Sequence, residues 1–155
     1  MPTDLDIRFM RLAIEQAGLA AKIGEVPVGA IITFGDRVIS AAYNRRETDK
    51  NALAHAELLA IDGACKALGG WRLHECALYV TLEPCPMCMG AIINARINKV
   101  VFGAKDCKAG CLGSVVNLAD MPFNHRPDVQ SGVLESECGG LLKDFFANLR
   151  QNKKA

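Results

Sequence analysis

His55-Ala56-Glu57 and Pro84-Cys85-Pro86-Met87-Cys88 stand 28 positions apart, counted from Glu57 to Cys85. One neutral imidazole and two thiolates form a donor set that suits zinc, and a carboxylate lies beside them. A structural zinc site closes its tetrahedron with four protein ligands, whereas a hydrolytic site leaves the fourth place to water. Here the ligands stop at three: His55, Cys85 and Cys88, with one metal ion per chain. Glu57 then reads as the general acid/base beside the metal and not as a ligand.

The spacing constrains the local structure. Residues i and i+2 lie about 200° apart on a regular helix, so His55 and Glu57 converge on one metal only at a helix entrance. Ala54–Leu68 is rich in Ala, Leu and Glu and supplies that helix. Pro86 occupies the favoured first helical position after Cys85, and Met87–Ala95 continues as a helix. Cys85 and Cys88 thus fall on a first turn, where unpaired N–H groups and the positive dipole end favour thiolates. A rival reading joins Cys85 and Cys88 to Cys107 and Cys111 as a four-cysteine structural site. It leaves His55 and Glu57 without a role and bends the chain through Lys99–Gly103, which reads as a buried strand.

A chain of 155 residues, half of them hydrophobic and 23% charged, is expected to be one domain, 1–155, of the soluble globular class. No apolar run reaches bilayer length, and Met1-Pro2-Thr3-Asp4 lacks the basic-then-apolar pattern of a signal peptide, so the expected compartment is the cytoplasm, with no membrane partner. Of the seven cysteines, Cys65, Cys76 and Cys138 read as reduced core residues, while Cys107 and Cys111 sit in a Gly-rich, more exposed stretch. Residues 1–95 carry 9 basic and 11 acidic side chains, and residues 96–155 carry 9 and 6. This basic drift, through Lys99, Lys105, Lys108, Arg126, Lys143, Arg150, Lys153 and Lys154, fits either a phosphate-facing surface or ordinary solvated charge.

Periodicity and turn signals predict a helix over Asp4–Ile23, strands over Val26–Phe34 and Val38–Tyr43 joined at Gly35-Asp36, and the His55 helix closed by Gly69-Gly70. A strand over Ala77–Leu82, the cysteine helix, the Lys99–Gly103 strand, two loops and a final helix over Ser136–Arg150 follow. Strands separated by helices after an opening hairpin imply an α/β fold, a mixed sheet with helices on both faces. Trp71 is expected to pack under the Gly69-Gly70 loop, and neither His74 nor His125 is assigned to metal.

These motifs resemble the zinc-dependent cytidine deaminase-like superfamily, and within it the bacterial tRNA-specific adenosine deaminases, for which the H-x-E and P-C-x-x-C signature is established. The resemblance spans nearly the whole chain. Besides the two motifs above it rests on Glu25-Val26-Pro27-Val28-Gly29-Ala30, Asn44, Thr81-Leu82-Glu83-Pro84, Val101-Phe102-Gly103-Ala104-Lys105-Asp106, Asn124-His125-Arg126 and Leu141-Leu142-Lys143-Asp144-Phe145-Phe146. Cys107, Cys111 and Asn51-Ala52-Leu53 depart from it, and none of them touches the metal set.

The resemblance implies a three-layer α-β-α domain with a five-stranded mixed sheet, a bound Zn2+, a homodimer, and hydrolysis of the wobble adenosine in a tRNA anticodon loop, that of an arginine tRNA, to inosine. Glu57 is the implied proton shuttle. Asn44, Ala56, Asp106, Asn124, Phe146 and Arg150 are the implied substrate contacts. The alternative role for Asn44 is that of a loop-capping residue. Phe145 and Phe146 lie about 100° apart on a helix, so one packs inward while the other, Phe146, faces RNA beside Arg150, unless both are partly buried at a helix or dimer contact. Two other functions compete: a deaminase of a free base or nucleoside, opposed by the basic tail, and a non-catalytic zinc-stabilised RNA-binding module, opposed by Glu57.

Overall fold

In the computed structural model, which describes residues 1–154, Thr3 opens helix α1 (Asp4–Lys22) with a reciprocal cap. The Thr3 hydroxyl accepts the Asp6 N–H at 3.1 Å and the Asp6 carboxylate accepts the Thr3 N–H at 3.0 Å, which satisfies two donors that a helix start leaves orphaned. The helix buries Phe9, Met10, Ala13, Ala17 and Ala20. The hairpin follows as β1 (Gly29–Phe34) and β2 (Arg37–Tyr43), then α2 (Ala56–Leu68), β3 (Cys76–Leu82), α3 (Pro86–Asn94), β4 (Lys99–Ala104), β5 (Asp128–Gln130) and α4 (Glu135–Lys154).

The five strands lie in the order β2-β1-β3-β4-β5, antiparallel as far as β3 and parallel from β3 to β5. The sheet is therefore mixed. On one face α1 and α4 pack Phe9, Met10 and Cys138 against Ile31, Tyr79 and Val101. On the other, α2 and α3 pack Ala60, Ala64, Met89 and Ile92 against Ala30, Ile32, Leu78, Val80 and Val100. The fold is the three-layer α/β arrangement. The β3–α3–β4 unit places the end of β3, the start of α3 and the end of β4 at one edge.

Five expectations are corrected. The first strand begins at Gly29 instead of Val26, because Pro27 has no N–H for a ladder and the Val28 N–H turns back to the Val26 carbonyl at 2.9 Å. Gly29 is where α1 crosses closest, since a Cβ there would collide with the Ala13 carbonyl and the Gln16 side chain. The fifth strand, Asp128–Gln130, is a three-residue edge strand too short and too exposed to show alternation, and the final helix runs past Arg150 to Lys154. Trp71 does not pack under its loop: it is 51% exposed, with the Arg72 guanidinium 4.3 Å from its ring centre. Cys111 is buried at 2% exposure, while Cys107 is exposed as expected.

Candidate active site

His55 and Cys85 are the N-cap residues of α2 and α3, yet neither side chain makes the usual capping hydrogen bond. N-cap positions favour Ser, Thr, Asp or Asn because their oxygens satisfy free N–H groups. Two consecutive helices that forgo this stabilisation leave an imidazole and a thiol free to turn toward each other. The His55 Nδ1 lies 3.6 Å from both Cys85 Sγ and Cys88 Sγ, and all three ligand atoms fall within 4.8 Å of one another.

A zinc ion about 2.3 Å from sulfur and about 2.0–2.1 Å from nitrogen in a tetrahedron requires S···N edges of roughly 3.5–3.6 Å. The donor set and its edges thus fit zinc. His55, Cys85 and Cys88 are also the only such group of three or more potential ligands among the described residues, so the four-cysteine arrangement with Cys107 and Cys111 does not form.

The cluster's protons are shared. Hydrogen bonding to Cys88, with His55 adding to it, lowers the Cys85 thiol to about 4, and the same contact together with burial raises Cys88. Hydrogen bonding to Cys85 raises His55. A divalent cation bound here would take the place of these protons and draw both sulfurs into the thiolate form. Glu57, on the first turn of α2, is 4% exposed, and burial raises its carboxyl to about 7 against the opposing pull of its own backbone N–H and of His55.

A cavity of about 230 Å³ opens onto this cluster, lined by Val26, Val28, Asn44, Arg46, His55, Ala56, Glu57, Leu82, Glu83, Cys85, Asp106 and Ala109. Its walls are mainly apolar, with the polar groups gathered at the metal cluster and at two loops. Of the expected substrate contacts, Asn44, Ala56 and Asp106 line it; Asn124, Phe146 and Arg150 do not. Asn44 is engaged at both ends of its amide, donating to the Val26 carbonyl at 3.2 Å and accepting from the Arg46 N–H at 3.1 Å. Asp106 caps its own turn, accepting from Lys108 and Ala109 N–H groups. Phe146 is exposed and meets the half-buried Phe145 edge-on at 5.4 Å. The side chain of Lys154 lies outside the described residues.

Sequence reasoning assigned no role to Arg46, a cation at the cavity wall, or to the buried Glu25 and Glu83. Glu83 accepts the N–H groups of Asp106, Leu112 and Ser114 at 3.1, 2.9 and 3.1 Å, together with the Ser114 hydroxyl. Glu25 accepts those of Glu47 and Thr48 at 3.1 and 2.7 Å. The only sequence signal was an acid within each quoted motif.

The MafB19-like deaminase family matches residues 5–150. A tRNA-specific adenosine deaminase of Bacillus subtilis is 54% identical over 151 residues, covering 97% of this chain and 94% of its own length. A solved structure from work on A-to-I editing by tRNA:A34 deaminases at the wobble position of transfer RNA superposes with a TM-score of 0.84 at 45% identity, over 87% of this chain and 99% of that one. A guanine deaminase from Bacillus subtilis shares the fold at a TM-score of 0.62 and 33% identity, over 92% of each chain. This chain belongs to the MafB19-like deaminase family and, within it, to the tRNA-specific adenosine deaminases.

Proposed function

We propose that this chain is a zinc-dependent hydrolase that converts the wobble adenosine of a tRNA anticodon loop, that of an arginine tRNA, to inosine in the cytoplasm, acting as a homodimer. The observation that carries this reading is a His55, Cys85 and Cys88 cluster with tetrahedral edges, beside a buried carboxylate, at the floor of a small cavity. The 54% identity to a tRNA-specific adenosine deaminase supports the nucleic-acid substrate over a free base.

His55, Cys85 and Cys88 would hold the ion, and zinc bound there would supply hydroxide near neutral pH by lowering the pKa of water. Glu57 takes the proton from the attacking water and passes it to the ring nitrogen next to the reacting carbon, which becomes more electrophilic. Glu57 then takes the second proton, from the hydroxyl now on the reacting carbon, and delivers it to the departing amino group; the carbon–nitrogen bond breaks as the carbonyl forms, so that water and adenosine become inosine and ammonia. The cavity is too small for folded RNA, so the base must leave its stack to enter, at a lower cost in a single-stranded anticodon loop than in a duplex. The apolar walls of Val26, Val28 and Leu82 exclude water around the inserted ring. Phe146, Arg150 and Asn124 contact the RNA outside the cavity.

The test is a substrate panel of an arginine tRNA with an adenosine wobble base against free adenosine, cytidine and guanine, with zinc measured per chain. Ammonia release and inosine formation are expected from the tRNA alone, at one zinc per chain. Turnover of a free base in preference to tRNA would establish the competing deaminase instead, and a zinc-loaded protein that binds tRNA without product would establish the non-catalytic module.

A further inference from the structure

Glu83 follows β3 and is 2% exposed, two residues before the ligand Cys85. A carboxylate has two oxygens and about four acceptor directions. All four are filled. One oxygen accepts from the Asp106 N–H and the Ser114 hydroxyl, and the other from the Leu112 and Ser114 N–H groups. Glu83 therefore has no acceptor left for a substrate or a metal, although it stands at the cavity wall.

What it holds is the loop from Asp106 to Ser114, which contributes Asp106 and Ala109 to the cavity. The contact is tight enough to dictate sequence. A Cβ at Gly110 would strike the Glu83 carboxyl group and the Asp106 carbonyl. Glu25 holds the loop bearing Asn44 and Arg46, which also line the cavity, through the Glu47 and Thr48 N–H groups. A second part of the lining is thus fixed in a similar way.

We propose that Glu83 is a positioning residue, whose fully occupied carboxylate fixes the Asp106–Ser114 loop as one wall of the substrate cavity. This rests on the functional reading above only for the identity of the substrate. The loop meets the Cys85 segment through the Cys111 N–H, which donates to the Pro84 carbonyl at 2.9 Å, while Glu57 and His55 sit on or at the start of α2 and Cys88 on α3. Loosening the loop therefore degrades substrate binding more than the chemical step.

The experiment compares Glu83→Gln, Gly110→Ala and Ser114→Ala with the parent in the full zinc-loaded chain. Whichever way the glutamine amide turns, its NH₂ group meets at least one backbone N–H. Gly110→Ala leaves the carboxylate intact and displaces the loop sterically, and Ser114→Ala is a mild change that serves if the others fail to fold. Without substrate, amide exchange at Asp106, Leu112 and Ser114 should quicken by about tenfold in Glu83→Gln, through local opening. With an adenosine-containing anticodon stem-loop, KM should rise by about tenfold in both Glu83→Gln and Gly110→Ala while kcat stays within about threefold, because an unordered wall must be ordered on binding. Unchanged exchange would overturn the tether whatever the substrate is. Faster exchange with an unchanged KM would overturn the positioning role, as would a fall in kcat accompanied by zinc loss, which would make Glu83 a support for Cys85. A parent protein inert on the stem-loop would sink the functional reading, and exchange alone would then decide whether Glu83 holds the loop.

Discussion

Asp6, Glu25, Glu57 and Glu83 are all nearly fully buried, yet their protonation differs in direction. Burial raises each of them, but hydrogen bonds reverse the effect at Asp6, Glu25 and Glu83, which end below the ordinary carboxylate range. At Glu57 burial prevails. Three acids are thus spent on structure, and the fourth stands beside the metal ligands with a proton to exchange. Glu57→Ala should keep the fold, one zinc per chain and tRNA binding, while deamination falls by at least about 10²- to 10⁴-fold, the usual share of a positioned proton carrier. Metal analysis and single-turnover assays on the same preparation check this; a zinc-free, unfolded variant would make Glu57 a structural ligand instead. The His-x-Glu spacing was legible at this scale because it is local. The saturation of Glu83 was not, because its donors lie 23 to 31 positions away.

Helix α4 carries Phe146 and Arg150, two of the contacts proposed for RNA outside the cavity. It lies on the α1 face, with the Arg11–Glu137 ion pair near its start and Ala21 and Gly24 of the α1 end beside Phe145 and Leu149. Its later half therefore reaches the end of α1, from which the chain enters the Val26–Val28 segment of the cavity wall. Phe145 turns into this groove, and Phe146 stays 41% exposed. Replacing Phe146 with Ala should weaken tRNA binding by about one to two decades, the worth of one base stacked on an aromatic ring. Arg150→Ala should flatten the salt dependence of binding by removing a phosphate contact. Titrations of both variants at two salt concentrations, with zinc content as control, check this. Unchanged affinity and salt slope in folded protein would confine RNA selectivity to the loops around Asn44, Asp106 and Asn124. The adjacent aromatics foretold one inward and one outward ring, since both cannot share a helix face; which groove receives Phe145 depends on α1.

For the whole molecule, Asp6 links the first helix to the sheet. Its carboxylate caps α1 and accepts from the Tyr79 hydroxyl at 2.8 Å and the Lys99 ammonium at 3.0 Å, on β3 and β4. Burial opposes its ionisation, but these donors outweigh burial and lower its pKa. A carboxylate lowered on folding adds stability above its unfolded value of about 4 and loses it as pH falls through the lower folded value. Asp6→Ala should therefore cost roughly 3 kcal/mol near neutrality by stranding the buried Tyr79 hydroxyl and the half-buried Lys99 ammonium. The gap to the parent should narrow only below about pH 4. Denaturant unfolding at a series of pH values reads this directly, and a gap that widened with acid would contradict it. Parallel β3 and β4 point their carboxyl ends at the cluster, the usual place for a ligand in an α/β sheet. The sequence by itself determined the donor set, both helix entrances, four of the five strands and the α/β class, because capping, period and ligand spacing are written within a few residues. Only the tertiary structure decided that the imidazole meets the thiols with zinc-sized edges, that Asn44 spends its amide on the loop, and that Glu25 and Glu83 clamp the cavity walls. Those pairings join segments that become neighbours only once the strand order of the sheet is set.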